Sequence, residues 1–432
     1  MACTDTKTQN VYSAGFECQS YISRLSAKQR IREMVLRTFS ETPDHGIEHL
    51  SRLSPTEWKR LLPWLDVSGL ALYLLERLSF LGKHEILPFD IAERLQQNQN
   101  DNIQRTRGMI EESIAIQLAF QRTGLSYAVM KGISLSPWSV PRPELRHQFD
   151  LDYLIDESSA PLARKLLEQR GYHLFAISGR SWEFKIHETP FVSAKDLYKD
   201  LAYRGVELHL EPSLPDSRLN RAEYRQMYGI TMPVFCPVDL FLGQAMHAFK
   251  DVSSAFFRAS HLLEFYRHVL VRRNDHRFWD EVRQTVESVP RIRLGLGIMI
   301  DLITLLLDDF APESLTSWTV DQLPPPLRLW IDLYGHRTAF SNPPGSKLYL
   351  FLQRELEFQG ISGTRSMHHS LLPLRLPPPV IHGLPDESFL LRLGRYRVQI
   401  RFVLSRLRFH IAEGFRYIVE SRRWRHNLDQ LI

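Results

Sequence analysis

Two aspartates, Asp150 and Asp152, stand one residue apart inside the apolar run "FDLDYLID". In an extended segment, residues two apart project from the same face, so the two carboxylates lie side by side while Leu151 and Tyr153 face the other way. Like charges that close raise one another's pKa unless a cation sits between them. Oxygen donors at this spacing suit Mg²⁺ or Mn²⁺ better than zinc. An exposed edge strand or a turn with solvated acids has the same spacing, so the pair acquires meaning only from its neighbours.

Upstream, "AVMKGISLS" reads as an apolar strand ending at Lys131-Gly132 and running into a short helix. A glycine there lets the backbone approach something closely, and free N–H groups at a helix start beside a lysine can seat phosphate oxygens. Downstream, "VELHLEP" is a strand on which Glu207, His209 and Glu211 share one face before Pro212 ends it.

A glycine turn, a DxD strand and a third carboxylate on a later strand resemble the layout of the polymerase-β-like nucleotidyltransferases. Within that superfamily the chain resembles a nucleotidyltransferase family whose members carry a strand ending in LKG, an arginine before DIDLLV, and a later strand V-D/E-LHW. The corresponding stretches are "AVMKG", "ELRHQFDLDYLID" and "GVELHLEP", with Gly132 lying 18 residues before Asp150. The likeness spans roughly residues 50 to 270, taking in a long helix before the glycine turn and the helix "QAMHAFKD" after the third strand. Two departures stand out: Glu207 occupies a position where aspartate is common, and "HLEP" replaces a stretch that carries tryptophan in the family.

The resemblance implies an α+β fold with a polymerase-β-like core flanked by helical regions. It implies Mg²⁺ (or Mn²⁺) as cofactor and an NTP as co-substrate, with the nucleoside monophosphate passed to an acceptor and pyrophosphate released. Asp150, Asp152 and Glu207 are the implied metal ligands and catalytic carboxylates, Glu207 also taking or orienting the acceptor's proton. Lys131 and Gly132 are implied at the triphosphate. Arg146 matches the family's arginine and would reach a phosphate, although an arginine beside an acidic pair serves equally as a structural counter-ion. His209 shares the acids' face, where it contacts the metal's outer shell or the nucleotide, or else makes a structural hydrogen bond. His247, Lys250 and Asp251 recur at three- and four-residue steps on one helix, positioned for base or phosphate, or else forming a solvated face. Trp182, Glu183 and Lys185 lie between the second and third strands, on the side expected for the acceptor.

These residues require elements to hold them. Residues 1–123 form a helical N-terminal region, in which Ser54-Pro55-Thr56-Glu57 has the form of a capping box. A long amphipathic helix follows, starting after Pro88 and ending at Gly124, with Ile110, Ile114, Ile116 and Leu118 on its apolar stripe. Residues 124–236 make the α+β catalytic core, in which "SSAPLARKLLEQRGY" is a helix stopped by Gly171 and Asp156 is a capping or turn residue. Residues 237–370 are helical again, and 371–432 comprise a linker with Pro373, Pro377, Pro378, Pro379 and Pro385 followed by a basic helix. On that helix Arg397, Arg401 and Arg408 fall near one face, a pattern for RNA, an anionic membrane surface or an acidic partner, or for simple packing with the arginines in water.

Composition bounds the rest. The 432 residues carry 54 Lys plus Arg against 49 Asp plus Glu, a formal net charge of +5 that permits a polyanionic ligand without requiring one. Cys3, Cys18 and Cys236 form no CxxC spacing, and neither a leader-like start nor a spanning apolar run is evident, so a cytoplasmic protein without integral membrane insertion is expected. The acceptor is expected to be a small molecule or a peptide. The alternatives are an RNA- or protein-modifying transferase guided by the C-terminal arginines, and a catalytically retired nucleotide-binding or interaction module.

Overall fold

The structure is a computed structural model that describes residues 26–186, 196–200, 205–255, 257–341, 345–361, 370–371 and 389–431. The prolines expected to form a linker, Pro373 to Pro385, and the cysteines Cys3 and Cys18 lie outside the described residues. Four helices come first: α1 (Ala27–Arg37), α2 (Asp44–Ser51), α3 (Pro55–Ser68) and α4 (Ala71–Phe80). The capping box at α3 is present, with the Glu57 N–H donating to the Ser54 hydroxyl and the Glu57 carboxylate accepting the Ser54 N–H at 2.9 Å. The long helix α5 (Phe89–Arg122) has 34 residues and a length of about 51 Å.

The strands after α5 form one seven-stranded mixed sheet. They are β1 (Tyr127–Val129), β2 (Asp150–Asp156), β3 (His173–Ser178), β4 (Ser181–Lys185), β5 (Gly205–Glu211), β6 (Glu223–Met227) and β7 (Ile230–Val234), in the spatial order β3-β4-β5-β2-β1-β7-β6. Central β2 pairs in parallel with β5 and antiparallel with β1. Helix α6 (Ala160–Gln169) follows β2 and is stopped near Gly171, whose φ of +88° a side chain would resist. Asp156 accepts the Ser158 N–H at 2.9 Å and so caps the turn that leads into α6. Two hairpins, β3–β4 and β6–β7, extend the sheet on either side of the three strands that sequence periodicity picks out.

Helices return as α7 (Pro237–Val252), α8 (Ala259–Val271), α9 (His276–Val286), α10 (Pro290–Leu306), α11 (Glu313–Thr316), α12 (Pro325–Ala339), α13 (Tyr349–Phe358) and the 41-residue α14 (Phe389–Asp429). One apolar cluster runs from Val35 and Leu65 in the first helices through Phe241, Trp279 and Ile303 to Trp424. A second cluster lies on one face of the sheet, where Leu151, Tyr153 and Ile155 of β2 meet Ile116 and Phe120 of α5 and Leu167 of α6. Helix α5 therefore belongs to both: Ile91 and Leu95 are buried in the first, Met109, Ile116 and Phe120 in the second. Among the described residues no helix is long and apolar enough to cross a membrane.

Candidate active site

The parallel register of β2 and β5 sets Asp152 directly opposite Glu207 and Leu154 opposite His209. Antiparallel β4 then brings Ser181 opposite His209 and Glu183 opposite Glu207. Since alternate strand residues share a face, Asp150, Asp152, Glu207, His209, Ser181 and Glu183 all emerge on the sheet face turned away from the α5 and α6 cluster. Trp182 lies on the opposite face, against that cluster.

Asp152 is buried and its Oδ1 is shared by two donors. Lys131 Nζ lies 3.0 Å away and His209 Nε2 lies 3.1 Å away, while the same imidazole nitrogen stands 3.6 Å from Glu207 Oε2. The Ser181 hydroxyl donates to the other oxygen of Glu207. Asp152, Glu207 and His209 each offer an atom within 4.8 Å of the others, so the group could hold a metal ion. The donors are mainly carboxylate oxygens, which fits a hard divalent cation. Glu207, with its extra methylene, reaches the group while Ser181 donates to its far oxygen.

Charge crowding divides the two aspartates. Asp150 opens to solvent at the end of β2 yet is otherwise packed within protein, and this desolvation, with the neighbouring Asp152 carboxylate, pushes its pKa up to about 6. At Asp152 burial acts in the same direction, but the His209 hydrogen bond and the Lys131 charge outweigh it and hold the carboxyl well below the usual range. Burial of Lys131 would lower its own pKa; Asp152, Asp150 and Glu207 reverse that and raise it. For Asp150 the folded pKa exceeds the ordinary 3.8, so the folded chain binds the proton more tightly than the unfolded one. Stability of the cation-free protein is therefore expected to fall as pH rises from about 4 to about 6. Asp150→Asn should remove part of that fall, roughly 1 kcal/mol after allowance for solvent screening. Urea titrations of both proteins in chelator across this window measure it, and identical pH slopes would rule it out.

The middle of α5 positions this strand. Asn102 donates to the carbonyl of Glu144 at 2.6 Å, and Arg105 donates to the carbonyl of Gln148 at 2.9 Å and stacks 4.5 Å over Phe149. These buried polar side chains interrupt the apolar stripe of α5 and grip the chain just before Asp150. Gly132 adopts a φ of +63° at the start of a four-residue 3₁₀ turn, and its close neighbour is the amide of Gln148, into which a Cβ would run. The expected short helix is thus one tight turn, and the near approach it permits is to this side chain, which itself donates to the Asp150 carbonyl at 2.7 Å.

The remaining sequence-derived residues lie in several places apart from one another. Arg146 is largely buried and bound to Glu264 of α8, with its Nε 3.2 Å from Oε1, where the Tyr73 hydroxyl also donates. His247 and Asp251 on α7 meet His261 on α8: His261 Nδ1 lies 2.7 Å from Asp251 Oδ2, and the two imidazole rings are 4.6 Å apart. Desolvation lowers both histidines to about 3 and raises Asp251 to about 6, so these imidazoles are neutral near pH 7. Lys250 is exposed on the outer surface of α7. Glu183 holds Lys185 at 2.9 Å, and Glu211 is bound to Arg218 at 2.8 Å. Ser181, Gln148, His261 and Glu264 were not singled out by sequence; only their partners across the sheet or between helices reveal them.

A cleft of about 580 Å³ opens beside His209, walled by Met130, Leu154, Arg180, Ser181 and Arg218. It is large enough for a small substrate, and two of its lining residues, His209 and Ser181, also contact Asp152 and Glu207.

A crystal structure of an antigenic nucleotidyltransferase-like protein from Paracoccidioides brasiliensis is similar over 42% of this chain and 90% of that chain, at 14% identity and a TM-score of 0.26. That likeness is too slight to carry an argument. No curated protein matches the chain significantly. A family model described as uncharacterised nucleotidyltransferase matches residues 54–308, more than half of the chain and all of the sheet with the carboxylates on it. With a match of that extent, the chain belongs to the uncharacterised nucleotidyltransferase family.

Proposed function

We propose that this protein is a Mg²⁺-dependent nucleotidyltransferase that moves a nucleoside monophosphate from an NTP to a small-molecule or peptide acceptor, with residues 124–236 as its catalytic core. The observation that carries the reading is the register of β2 on β5, which sets Asp152 against Glu207 with Asp150 one strand step away and Lys131 alongside. Asp150, Asp152 and Glu207 would hold the cation, their oxygen-rich set being suited to Mg²⁺ or Mn²⁺. When bound, a divalent ion neutralises charge on the phosphates and lowers the barrier to in-line displacement.

The chain's own groups account for the rest. Lys131, whose ammonium lies beside Asp152, would offer its charge to the triphosphate. His209 lies between Asp152 and Glu207, hydrogen-bonded to the first and 3.6 Å from the second. Glu207 receives or orients the proton of the acceptor hydroxyl as its oxygen attacks the α-phosphorus, the α–β bridging P–O bond breaks, and pyrophosphate departs. The acceptor enters from the cleft beside His209, where Arg180 and Ser181 face it. His247 lies on the helix after the core and is available to the base or to a phosphate.

Incubating the protein with each α-labelled NTP, Mg²⁺ and cell extract tests the proposal. The expected result is label in one acceptor fraction together with pyrophosphate. Binding of NTP without label transfer or pyrophosphate release under any of these conditions would favour a retired nucleotide-binding module instead.

A further inference from the structure

Helix α14 shows the solvent a face that a free-standing helix should hide. Phe389, Leu393, Tyr396, Ile400, Leu404, Leu407 and Ile411 are each between 52% and 75% exposed. Their spacing is 4-3-4 twice over, an 11-residue repeat, and Phe415 and Ile418 continue it. The helix is held to the protein by a different side. Tyr417 stacks on Phe351 at 4.5 Å, Trp424 lies 5.6 Å from the same ring, and Glu413 accepts from Ser346 at 2.8 Å. At 100° per residue these anchors point well away from the stripe, so the exposed face is not the docking face seen obliquely.

Charge identifies what the stripe fits. Residues 389–412 contain six arginines and no aspartate or glutamate. Arg397, Arg401 and Arg408 are exposed along one edge of the stripe and Arg392 along the other. Against a second copy of this helix, six arginines would meet six, and an 11-residue spacing does not make the left-handed seam of a heptad dimer. RNA would satisfy the arginines and leave the apolar stripe wet. A bilayer satisfies both at once: acyl chains take the aliphatic and aromatic residues, and arginines at either edge reach up to anionic headgroups.

We propose that α14 is a peripheral membrane-binding helix that seats the protein on an anionic lipid surface. The apolar stripe supplies burial and the flanking arginines supply selectivity for negative headgroups. This inference is independent of the nucleotidyl-transfer reading, since no residue of α14 belongs to the carboxylate site.

Co-sedimentation of the full chain with vesicles of phosphatidylcholine alone, and of phosphatidylcholine mixed with phosphatidylserine, tests it. The protein should pellet with the mixed vesicles and far less with the neutral ones, and added salt should weaken the binding. The triple change Arg397→Gln, Arg401→Gln and Arg408→Gln should weaken it on the order of a hundredfold, taking each arginine as worth about fivefold. The pair Ile400→Asp and Leu407→Asp, at exposed positions where folding is not at stake, should abolish it. Absence of pelleting with either vesicle, or equal pelleting of the substituted proteins, overturns the proposal. So would sedimentation velocity showing a dimer that Ile400→Asp and Leu407→Asp dissociate, because a second copy would then be covering the stripe.

Discussion

Replacing Asp150 and Asp152 together with alanine is expected to lower nucleotidyl transfer by at least about a thousandfold, equivalent to about 4 kcal/mol of transition-state stabilisation. The loss should come without unfolding. Asp150 is open to solvent, and its carboxylate is held at an unfavourable charge by desolvation and by Asp152, so removing it relieves repulsion. Asp152 is different, because its removal leaves Lys131 and His209 without their shared acceptor. The two effects oppose one another, and thermal melting of the double variant should stay near that of the parent. Rates of label transfer, measured with melting curves on the same preparations, give the answer. Transfer at the parental rate by a folded double variant would remove these aspartates from the mechanism.

Arg146→Ala is expected to destabilise the fold by about 3–5 kcal/mol. The Glu264 side chain is only 2% exposed and Arg146 13% exposed, so deleting the guanidinium strands a buried carboxylate with the Tyr73 hydroxyl as its main remaining donor. Arg146→Lys should recover part of the loss, since an ammonium supplies charge but not the planar fork of donors. Replacing both partners, Arg146→Met with Glu264→Gln, should come closer to the parent than Arg146→Ala does, because neither charge is then left alone. Urea unfolding of the three variants distinguishes these outcomes. A stable Arg146→Ala protein that merely binds NTP more weakly would instead make this arginine a phosphate ligand.

The sequence already discloses those features that depend on short-range geometry. The capping box at Ser54 and Glu57, the span of α5, the period-two face of Asp150 and Asp152, and the strand carrying Glu207 all follow from spacings of two to four residues, and the structure contains each of them. The resemblance in motif order also leads to the family that the wider match supports. What lies beyond reach of local spacing is pairing across long separations. Glu264 is 118 positions from Arg146, and periodicity ranks it no higher than any other acid on a helix. Ser181 reaches Glu207 only because the β3–β4 hairpin folds back onto β5, and nothing in "SGRSWEFK" announces that register. Gly132 was legible as a point of close approach, whereas the identity of the approaching group, Gln148, was not. The joining of the first and later helices in one cluster is likewise hidden, since two amphipathic stripes look the same whether they cover one another or a third element.

Helix α5 carries one further consequence. Its first turns are fixed by Ile91 and Leu95 among the helices, its last by Ile116 and Phe120 against the sheet, and its polar midsection clasps the chain immediately before Asp150. A rod anchored at both ends transmits error along its length. A cavity opened at Leu95, about two helical turns before Asn102, would let the rod shift and carry Asn102 and Arg105 with it, moving Asp150 relative to Glu207. Alignment of the acids is thus a property of the whole helical scaffold, and selection on the far end of α5 is selection on the geometry of the site.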